Sequence, residues 1–290
     1  SGLAMITPMN PDGSVNYTEI DRILEDQIAA GTDAIISCGT TGEASTLDDQ
    51  EHLDVIGHVV KQVNGRIPVI AGTGSNNTAH AVMMSKEAAD LGADALLVVT
   101  PYYNKTSQAG LVASYTAIAD ATDLPVIMYN VPSRTGVNIA PETAKTLSAH
   151  PKINAIKEAS GNISQVAKIA ALCGDDLNIY SGNDDQIVPL LSLGGKGVIS
   201  VLAHVAPRQT HDICRLWFDG KTAESAALQL ELLDLCNVLF CDVNPIPVKA
   251  AMNMLGYNAG ECRLPLVPTG EANLAKIRAA LINRGLLSEN

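Results

Sequence analysis

Short apolar runs rich in β-branched residues recur along the first two-thirds of the chain and predict buried strands. Each run is too short for a helix and contains no proline. The predicted strands are Ala4–Thr7, Ala34–Ser37, Val69–Thr73, Ala95–Thr100, Val126–Asn130, Asn154–Ala159, Asn178–Gly182 and Gly197–Val201.

The segments between these runs carry apolar residues at helical spacing. One such set comprises Leu53, Ile56, Val59, Val60 and Val63. Helix-start signals fit the same segments, since Thr78, Pro141 and Asn162 stand where helices are expected to begin. Strand and helix therefore alternate eight times along the chain.

This alternation predicts an α/β fold, a (β/α)8 TIM barrel. A doubly wound open sheet is the second choice, but Pro8–Gly13 does not provide the glycine-rich phosphate loop expected after its first strand. Further helical patterns fill the rest of the chain, near 207–218, 222–240, 244–255 and 271–284. We therefore expect a barrel over residues 1–220, which carries the active site, and a C-terminal helical appendage over residues 221–290, packed on the barrel.

Composition agrees with a large buried sheet and narrows the class of protein. Hydrophobic residues make up 47% of the 290 residues and charged residues 17%, below the roughly 25% that is usual. The formal net charge of −12 disfavours nucleic acid as a partner, because an acidic chain repels phosphate backbones.

The sequence contains no apolar run long enough to span a bilayer and no basic-then-apolar leader pattern. The six cysteines form no CxxC pair, which favours free thiols in a reducing compartment. We therefore expect a cytoplasmic protein with no membrane partner. No His or Cys cluster has metal-ligand spacing, so neither a metal nor a cofactor is expected.

Lys157 is the most distinctive candidate for chemistry. Most other lysines lie in amphipathic helices, whereas Lys157 follows Ile153, Ala155 and Ile156 at the end of a predicted barrel strand. Active sites of such barrels lie at these strand ends. Burying an ammonium group is costly, which favours the neutral amine that attacks a ketone to form an imine. A lysine paired with a barrel carboxylate is the alternative.

Three other candidate features lie at or just beyond the carboxyl ends of predicted strands. The loop Gly39–Glu43 offers N–H groups and two hydroxyls to a small carboxylate, although a plain turn explains it equally well. The hydroxyls of Tyr103 and Tyr129 suit proton relay, or both rings simply lie at the rim. Arg134 suits bidentate capture of a carboxylate, or forms a surface salt bridge.

Several strings resemble blocks of the dihydrodipicolinate synthase / N-acetylneuraminate lyase superfamily, in its order. They are GTTGE, VTPYYN, YNVPSRTG, IKEASG, GVISV and NPIPVK. The resemblance runs from Leu3 to about Leu287. The arginine of YNVPSRTG resembles one that is typical of a single branch of the superfamily. In that branch the arginine receives the carboxylate of aspartate semialdehyde.

The resemblance implies a role for each residue. Lys157 would form a Schiff base with pyruvate, with Tyr129 above it as proton donor and acceptor. Thr40 would link Tyr129 to Tyr103, which would reach into the site of a neighbouring subunit. The substrate-binding set would be Thr40, Thr41, Arg134, Gly182 and Ile199, with the first two holding the pyruvate carboxylate.

The implied reaction condenses pyruvate with L-aspartate 4-semialdehyde to give 4-hydroxy-tetrahydrodipicolinate, the first committed step toward diaminopimelate and lysine. The implied assembly is a homotetramer, a dimer of tight dimers. One alternative is a pyruvate lyase of the same superfamily that acts on a keto sugar acid, although those lyases do not usually keep the arginine. Another is a non-catalytic barrel that serves as a sensor or structural partner, which would tolerate the loss of Lys157.

Lysine is a possible effector, because it inhibits some members at the tight-dimer interface. The matching positions are Ala44, Ser45, Asp49, His52, Asn76, His80 and Tyr102. Asp49 stands where a histidine is usual in the inhibited enteric type, and His80 where a glutamate is usual. We therefore expect weaker inhibition than in that type.

Overall fold

The computed structural model describes residues 1–289 and contains a closed barrel of eight parallel strands in sequence order. The barrel predicted from the sequence is therefore confirmed. Its strands are β1 (Gly2–Ala4), β2 (Ala34–Ser37), β3 (Val69–Gly72), β4 (Ala95–Val99), β5 (Val126–Asn130), β6 (Ile153–Glu158), β7 (Asn178–Ser181) and β8 (Gly197–Ser200).

The first strand is the one whose predicted position was wrong, because Ala4–Thr7 was expected and Gly2–Ala4 is found. Met5 N still donates to the carbonyl of Ile36, but Ile6 N donates to Nε2 of His204 at 3.0 Å. Thr7 then turns toward a loop and donates through Oγ1 to the carbonyl of Gly42 at 2.6 Å. The backbone thus leaves the ladder because side-chain partners replace strand partners.

Helices follow the strands and, apart from the short α5 at the mouth of the barrel, form the outer ring. They are α1 (Tyr17–Ala30), α2 (Asp49–Val63), α3 (Thr78–Asp90), α4 (Gln108–Asp120), α5 (Pro132–Thr135), α6 (Pro141–Ser148), α7 (Ile163–Cys173), α8 (Ile187–Leu191) and α9 (Pro207–Phe218). Side-chain oxygens of Asn16, Asp48, Asn77, Ser107 and Asn162 accept first-turn N–H groups and so fix where five of these helices begin.

Four helices complete the C-terminal part, α10 (Thr222–Glu231), α11 (Leu233–Val238), α12 (Ile246–Met254) and α13 (Glu271–Asn283). The single helix predicted over 222–240 was wrong, because the chain breaks at Leu232. Leu232 is buried, and the two halves pack against different elements, α10 on α9 and α11 on α13. Tertiary packing therefore divides a continuous helical pattern.

Two separate apolar clusters lie on the two sides of the sheet. The larger fills the space between the strands and the helices. The smaller fills the barrel and includes Ala4, Ile36, Ile70, Leu97, Ile127, Tyr129, Ala155 and Ile199. The side-chain period of two in a strand explains the division, since Ala155 faces inward while Ile156 packs outward.

Candidate active site

Lys157 lies near the carboxyl end of β6, two residues beyond the inward-facing Ala155. It is paired in register with Tyr129 of β5 on one side and Tyr180 of β7 on the other. Only 6% of Lys157 is exposed, and its Nζ lies 4.3 Å from the centroid of the Tyr129 ring. A buried primary amine thus lies against the ring of Tyr129, one of the two tyrosines that the sequence selected.

The strand that carries Lys157 is fixed by the next residue, Glu158. Its buried carboxylate accepts hydrogen bonds from Nδ2 of Asn130, the backbone N–H of Ser160 and Nε2 of Gln165, at 2.7 to 3.2 Å. These contacts join the ends of β5 and β6 to helix α7. Because Glu158 points away from the barrel interior, it anchors the strand without pairing with the inward amine. Among residues 1–289, no carboxylate forms an ion pair with Lys157.

Gly182, directly after β7, leaves the space beside Lys157 open. A Cβ at this position would lie 3.1 Å from Cε of Lys157 and 2.6 Å from Cβ of Ala159. Any larger residue would therefore push against the stem of the amine. On the far side, the buried carboxylate of Asp184 accepts from the N–H groups of Val201 and Leu202 and so joins the ends of β7 and β8. Burial raises the pKa of Asp184.

The loop Gly39–Glu43 forms a tight turn after β2, as the sequence predicted. Glu43 N donates to the carbonyl of Thr40, and Glu43 itself has a left-handed backbone, with φ of 55°. The side chain of Thr41 is buried, and its Oγ1 accepts from Nδ2 of Asn244 at 2.9 Å. Thr40 is partly exposed and lines a cavity of about 360 Å³. The two threonines therefore differ, since Thr40 faces the cavity and Thr41 fixes the loop.

Arg134 lies in the short helix α5 at the mouth of the barrel. It lines the cavity that Thr40 and Tyr129 also line, and a second cavity of about 450 Å³ lined by Gly182. Its Nη2 donates to the carbonyl of Asn244 at 3.2 Å. The guanidinium thus stands where the two cavities adjoin, with donors remaining for a ligand.

Asn244 is the main site residue that sequence reasoning missed. It holds Arg134 through its carbonyl and Thr41 through its side-chain amide. The only sequence signal was its place at the head of the NPIPVK string. Nothing local marks it, because its partners lie 110 and 203 positions away along the chain.

Tyr103 and Ile199 do not line the cavity that Thr40, Tyr129 and Arg134 line. Tyr103 is 91% exposed on the loop after β4, and its backbone has a left-handed φ of 71°. Such a conformation is uncommon for a residue with a side chain and here directs the ring into solvent. Ile199 is buried in the apolar cluster of the barrel. Among the described residues, neither side chain lines the cavity that Thr40 and Tyr129 line, although Ile199 belongs to the same apolar cluster as Tyr129.

The profile of the dihydrodipicolinate synthetase family matches residues 2–283. The chain belongs to the dihydrodipicolinate synthetase family. The 4-hydroxy-tetrahydrodipicolinate synthase of Caldicellulosiruptor saccharolyticus is 57% identical over 286 residues, which are 99% of this chain and 97% of that protein.

Two solved structures of the family carry bound small molecules. Dihydrodipicolinate synthase from Acinetobacter baumannii, complexed with pyruvate, is 42% identical with a TM-score of 0.97, and the match covers 99% of both chains. The enzyme from Cyanidioschyzon merolae, with lysine bound, is 41% identical with a TM-score of 0.96, and the match covers 99% of this chain and 98% of that one.

Six of the seven residues predicted to form an effector site line the same 360 Å³ cavity as Thr40 and Arg134. Those lining it are Ala44, Ser45, Asp49, His52, His80 and Tyr102. Asn76 is not among the described lining residues, and its carbonyl accepts from Nδ2 of Asn104 at 2.9 Å. Burial lowers the pKa of His52, whose Nε2 lies 2.7 Å from the carbonyl of Gly72.

Two further findings concern the described residues, 1–289. No helix there combines the length and apolar character needed to cross a membrane. Within the same range, His, Cys, Asp and Glu side chains do not gather in any group of three that could hold a metal ion.

Proposed function

We propose that this chain is a 4-hydroxy-tetrahydrodipicolinate synthase that condenses pyruvate with L-aspartate 4-semialdehyde through a Schiff base on Lys157. The observation that carries the proposal is the buried Lys157 amine against Tyr129, near a cavity with Arg134 at its wall. The identity of 57% to a 4-hydroxy-tetrahydrodipicolinate synthase over nearly the whole chain supports the same reaction.

The chemistry follows from the properties of an imine. The neutral amine of Lys157 attacks the keto carbon of pyruvate, and water leaves as the C=N bond forms. The iminium withdraws electrons, so the pyruvate methyl group loses a proton. The iminium thereby becomes an enamine. The enamine carbon then bonds to the aldehyde carbon of the second substrate. The amine of the adduct finally displaces Lys157 as the ring closes, which frees the enzyme.

Proton transfers in these steps are assigned to the hydroxyls near the amine. Tyr129 donates and accepts protons above the imine, because its ring already contacts Nζ of Lys157. Thr40 passes protons from Tyr129 toward solvent through Tyr103. Since Tyr103 projects away from its own subunit, the Tyr103 that completes the relay comes from a neighbouring subunit.

Each substrate carries a carboxylate, and the site offers a place for both. Thr40 and Thr41 hold the carboxylate of pyruvate in the turn after β2, and Arg134 holds that of aspartate semialdehyde. Backbone groups of Gly182 and Ile199 border the lysine. A lyase for keto sugar acids is the rival within the superfamily. Arg134, at the shared wall of the two cavities, instead favours aspartate semialdehyde, whose carboxylate it can bind.

Assembly and surroundings complete the proposal. The working form is a homotetramer, a dimer of tight dimers, in the cytoplasm, with lysine as its effector in the cavity that His80 and Asp49 line. The chain divides near residue 220 into the barrel and the C-terminal helical region. The C-terminal region also contributes to the site, because its residue Asn244 contacts both Arg134 and Thr41.

Borohydride reduction with pyruvate, followed by mass spectrometry of peptides, tests the mechanism. We expect one adduct on Lys157 and its absence from Lys157→Ala, which should also lose most of the turnover. Lys168→Ala is the matched control, because Lys168 is exposed on α7. An adduct on another lysine would refute the mechanism. Turnover with a keto sugar acid but not with aspartate semialdehyde would refute the proposed second substrate.

A further inference from the structure

A buried ion pair joins the C-terminal region to the loop Gly39–Glu43. Nζ of Lys249, on α12, lies 2.5 Å from Oε1 of Glu43, and each side chain is 2% exposed. Most ion pairs of this protein lie at the surface, whereas this one is withdrawn from water. A buried pair is costly to form and much more costly to break, since removal of one partner leaves an uncompensated charge.

Both charges have further partners, so the pair is part of a fixed network. The other carboxylate oxygen of Glu43 accepts from the N–H of Arg263 at 2.9 Å. Nζ of Lys249 also donates to the carbonyl of Glu261 at 3.1 Å. The guanidinium of Arg263 in turn binds the carboxylate of Glu51 at the start of α2. The network therefore connects α12 and residues 261–263 with Glu43 and Glu51, the two ends of the segment that links the turn after β2 to α2.

The position of Glu43 connects this network with the site. Glu43 ends the turn that carries Thr40 and Thr41, and it lines the same cavity as Thr40. Its left-handed backbone, with φ of 55°, is unfavourable for a residue with a side chain and needs outside support. Lys249 supplies that support from a helix far along the chain.

From this geometry we infer that Lys249 is a positioning residue for pyruvate, which neutralises Glu43 and fixes the turn that meets the pyruvate carboxylate. The inference rests on the proposed use of pyruvate. It assigns Lys249 no contact with substrate. Loss of the Lys249 ammonium would leave a buried anion beside the place where a second anion must bind, and like charges at short range repel strongly.

The sign of the charge distinguishes this role from a merely structural one. In Lys249→Met, the pyruvate concentration that half-saturates borohydride trapping of Lys157 should rise about tenfold, the ratio that 1.4 kcal/mol produces. Adding Glu43→Gln should bring that concentration back most of the way, because the unpaired anion is gone. The rate of trapping at saturating pyruvate should change little in either variant.

Lys145→Met is the matched control, because Lys145 pairs with Asp176 at the surface and should leave the pyruvate dependence unchanged. A double variant no better than Lys249→Met, or an equal loss at saturating pyruvate, would overturn the inference. If Lys249→Met does not fold, Glu43→Gln alone decides. An unchanged or lower half-saturating concentration supports the positioning role, and a tenfold rise refutes it.

Trapping needs pyruvate alone, so its result does not depend on the identity of the second substrate. The steady-state KM for aspartate semialdehyde, measured on the same variants, should stay near that of the parent. Failure of the parent to turn over aspartate semialdehyde would count against the proposed function. If Glu43→Gln does not reverse the effect of Lys249→Met on pyruvate, that result would count only against the role of Lys249.

Discussion

The imidazole of His80 lies against the carboxylate of Asp49, with 2.9 Å between Nε2 and Oδ1. These are the two positions at which the predicted effector set departs from the enteric pattern. The contact means that the departures are not independent, because each residue is the partner of the other. An anion is therefore present in the cavity, but it is held by an imidazole rather than left for an amino group.

We predict that lysine inhibits this enzyme more weakly than it inhibits relatives with a glutamate at the position of His80. A charge-assisted hydrogen bond contributes roughly 1.5–3 kcal/mol, so its loss weakens binding by about one or two decades. A titration of activity against lysine measures this directly. His80→Glu should increase the sensitivity.

Asp49→Asn is the companion variant, because it keeps the shape of the side chain and removes its charge. Half-inhibition of the parent at the concentrations of the enteric type would contradict the predicted weakening. A His80→Glu variant no more sensitive than the parent would show that His80 is not its cause.

We predict that Arg134→Ala damages the use of aspartate semialdehyde far more than imine formation with pyruvate. Loss of a bidentate clamp should cost on the order of a few kcal/mol, or roughly 100-fold in kcat/KM for the aldehyde. Borohydride trapping and steady-state kinetics separate the two halves. Arg215→Ala, at an exposed position of α9, is the control. Equal damage to both halves would mean that Arg134 only supports the fold.

We predict that Tyr103→Phe lowers turnover and that co-expression with Lys157→Ala restores part of it. In a mixed dimer, the subunit that keeps Lys157 receives an intact Tyr103 from its neighbour. The exposure of Tyr103 in one subunit is the structural basis for this expectation. Activity assays on the mixture and on each parent variant test it. A mixture as inactive as both parents would indicate a self-contained site.

We predict that His204 makes the fold less stable in mild acid. Burial lowers the pKa of His204 from 6.5 to about 4. The unfolded chain therefore binds a proton that the folded chain does not as the pH falls through this window, which costs up to roughly 3 kcal/mol. Unfolding midpoints at several pH values should fall less steeply for His204→Gln than for the parent. Parallel curves would contradict the assignment.

The barrel was predictable because its signal is repeated. Seven strands lie within a residue or two of their predicted bounds, and helix α9 matches its predicted range of 207–218. Buried parallel strands form continuous apolar runs, and each helix between them has its own periodicity. Lys157 stood out for the same reason, since a cation at the end of an apolar run conflicts with its surroundings.

What escaped prediction depends on partners far away in the sequence. The end of β1 is set by His204, and the break at Leu232 by the packing of α10 and α11 on different neighbours. The roles of Asn244 and Lys249 likewise arise only when residues about 200 positions apart meet. Local pattern carries no information on such contacts.

The order of synthesis gives these long-range contacts another consequence. When the ribosome has completed strand β8 at Ser200, Asn244, Lys249 and Arg263 have yet to be added. Once all eight strands have emerged from the ribosome, a nascent chain can close its barrel while the turn at Thr40 still lacks its anchors. On the proposed role of these anchors, pyruvate binds well only after the last helices have docked. Its binding can serve as a reporter of complete translation and docking of the last helices.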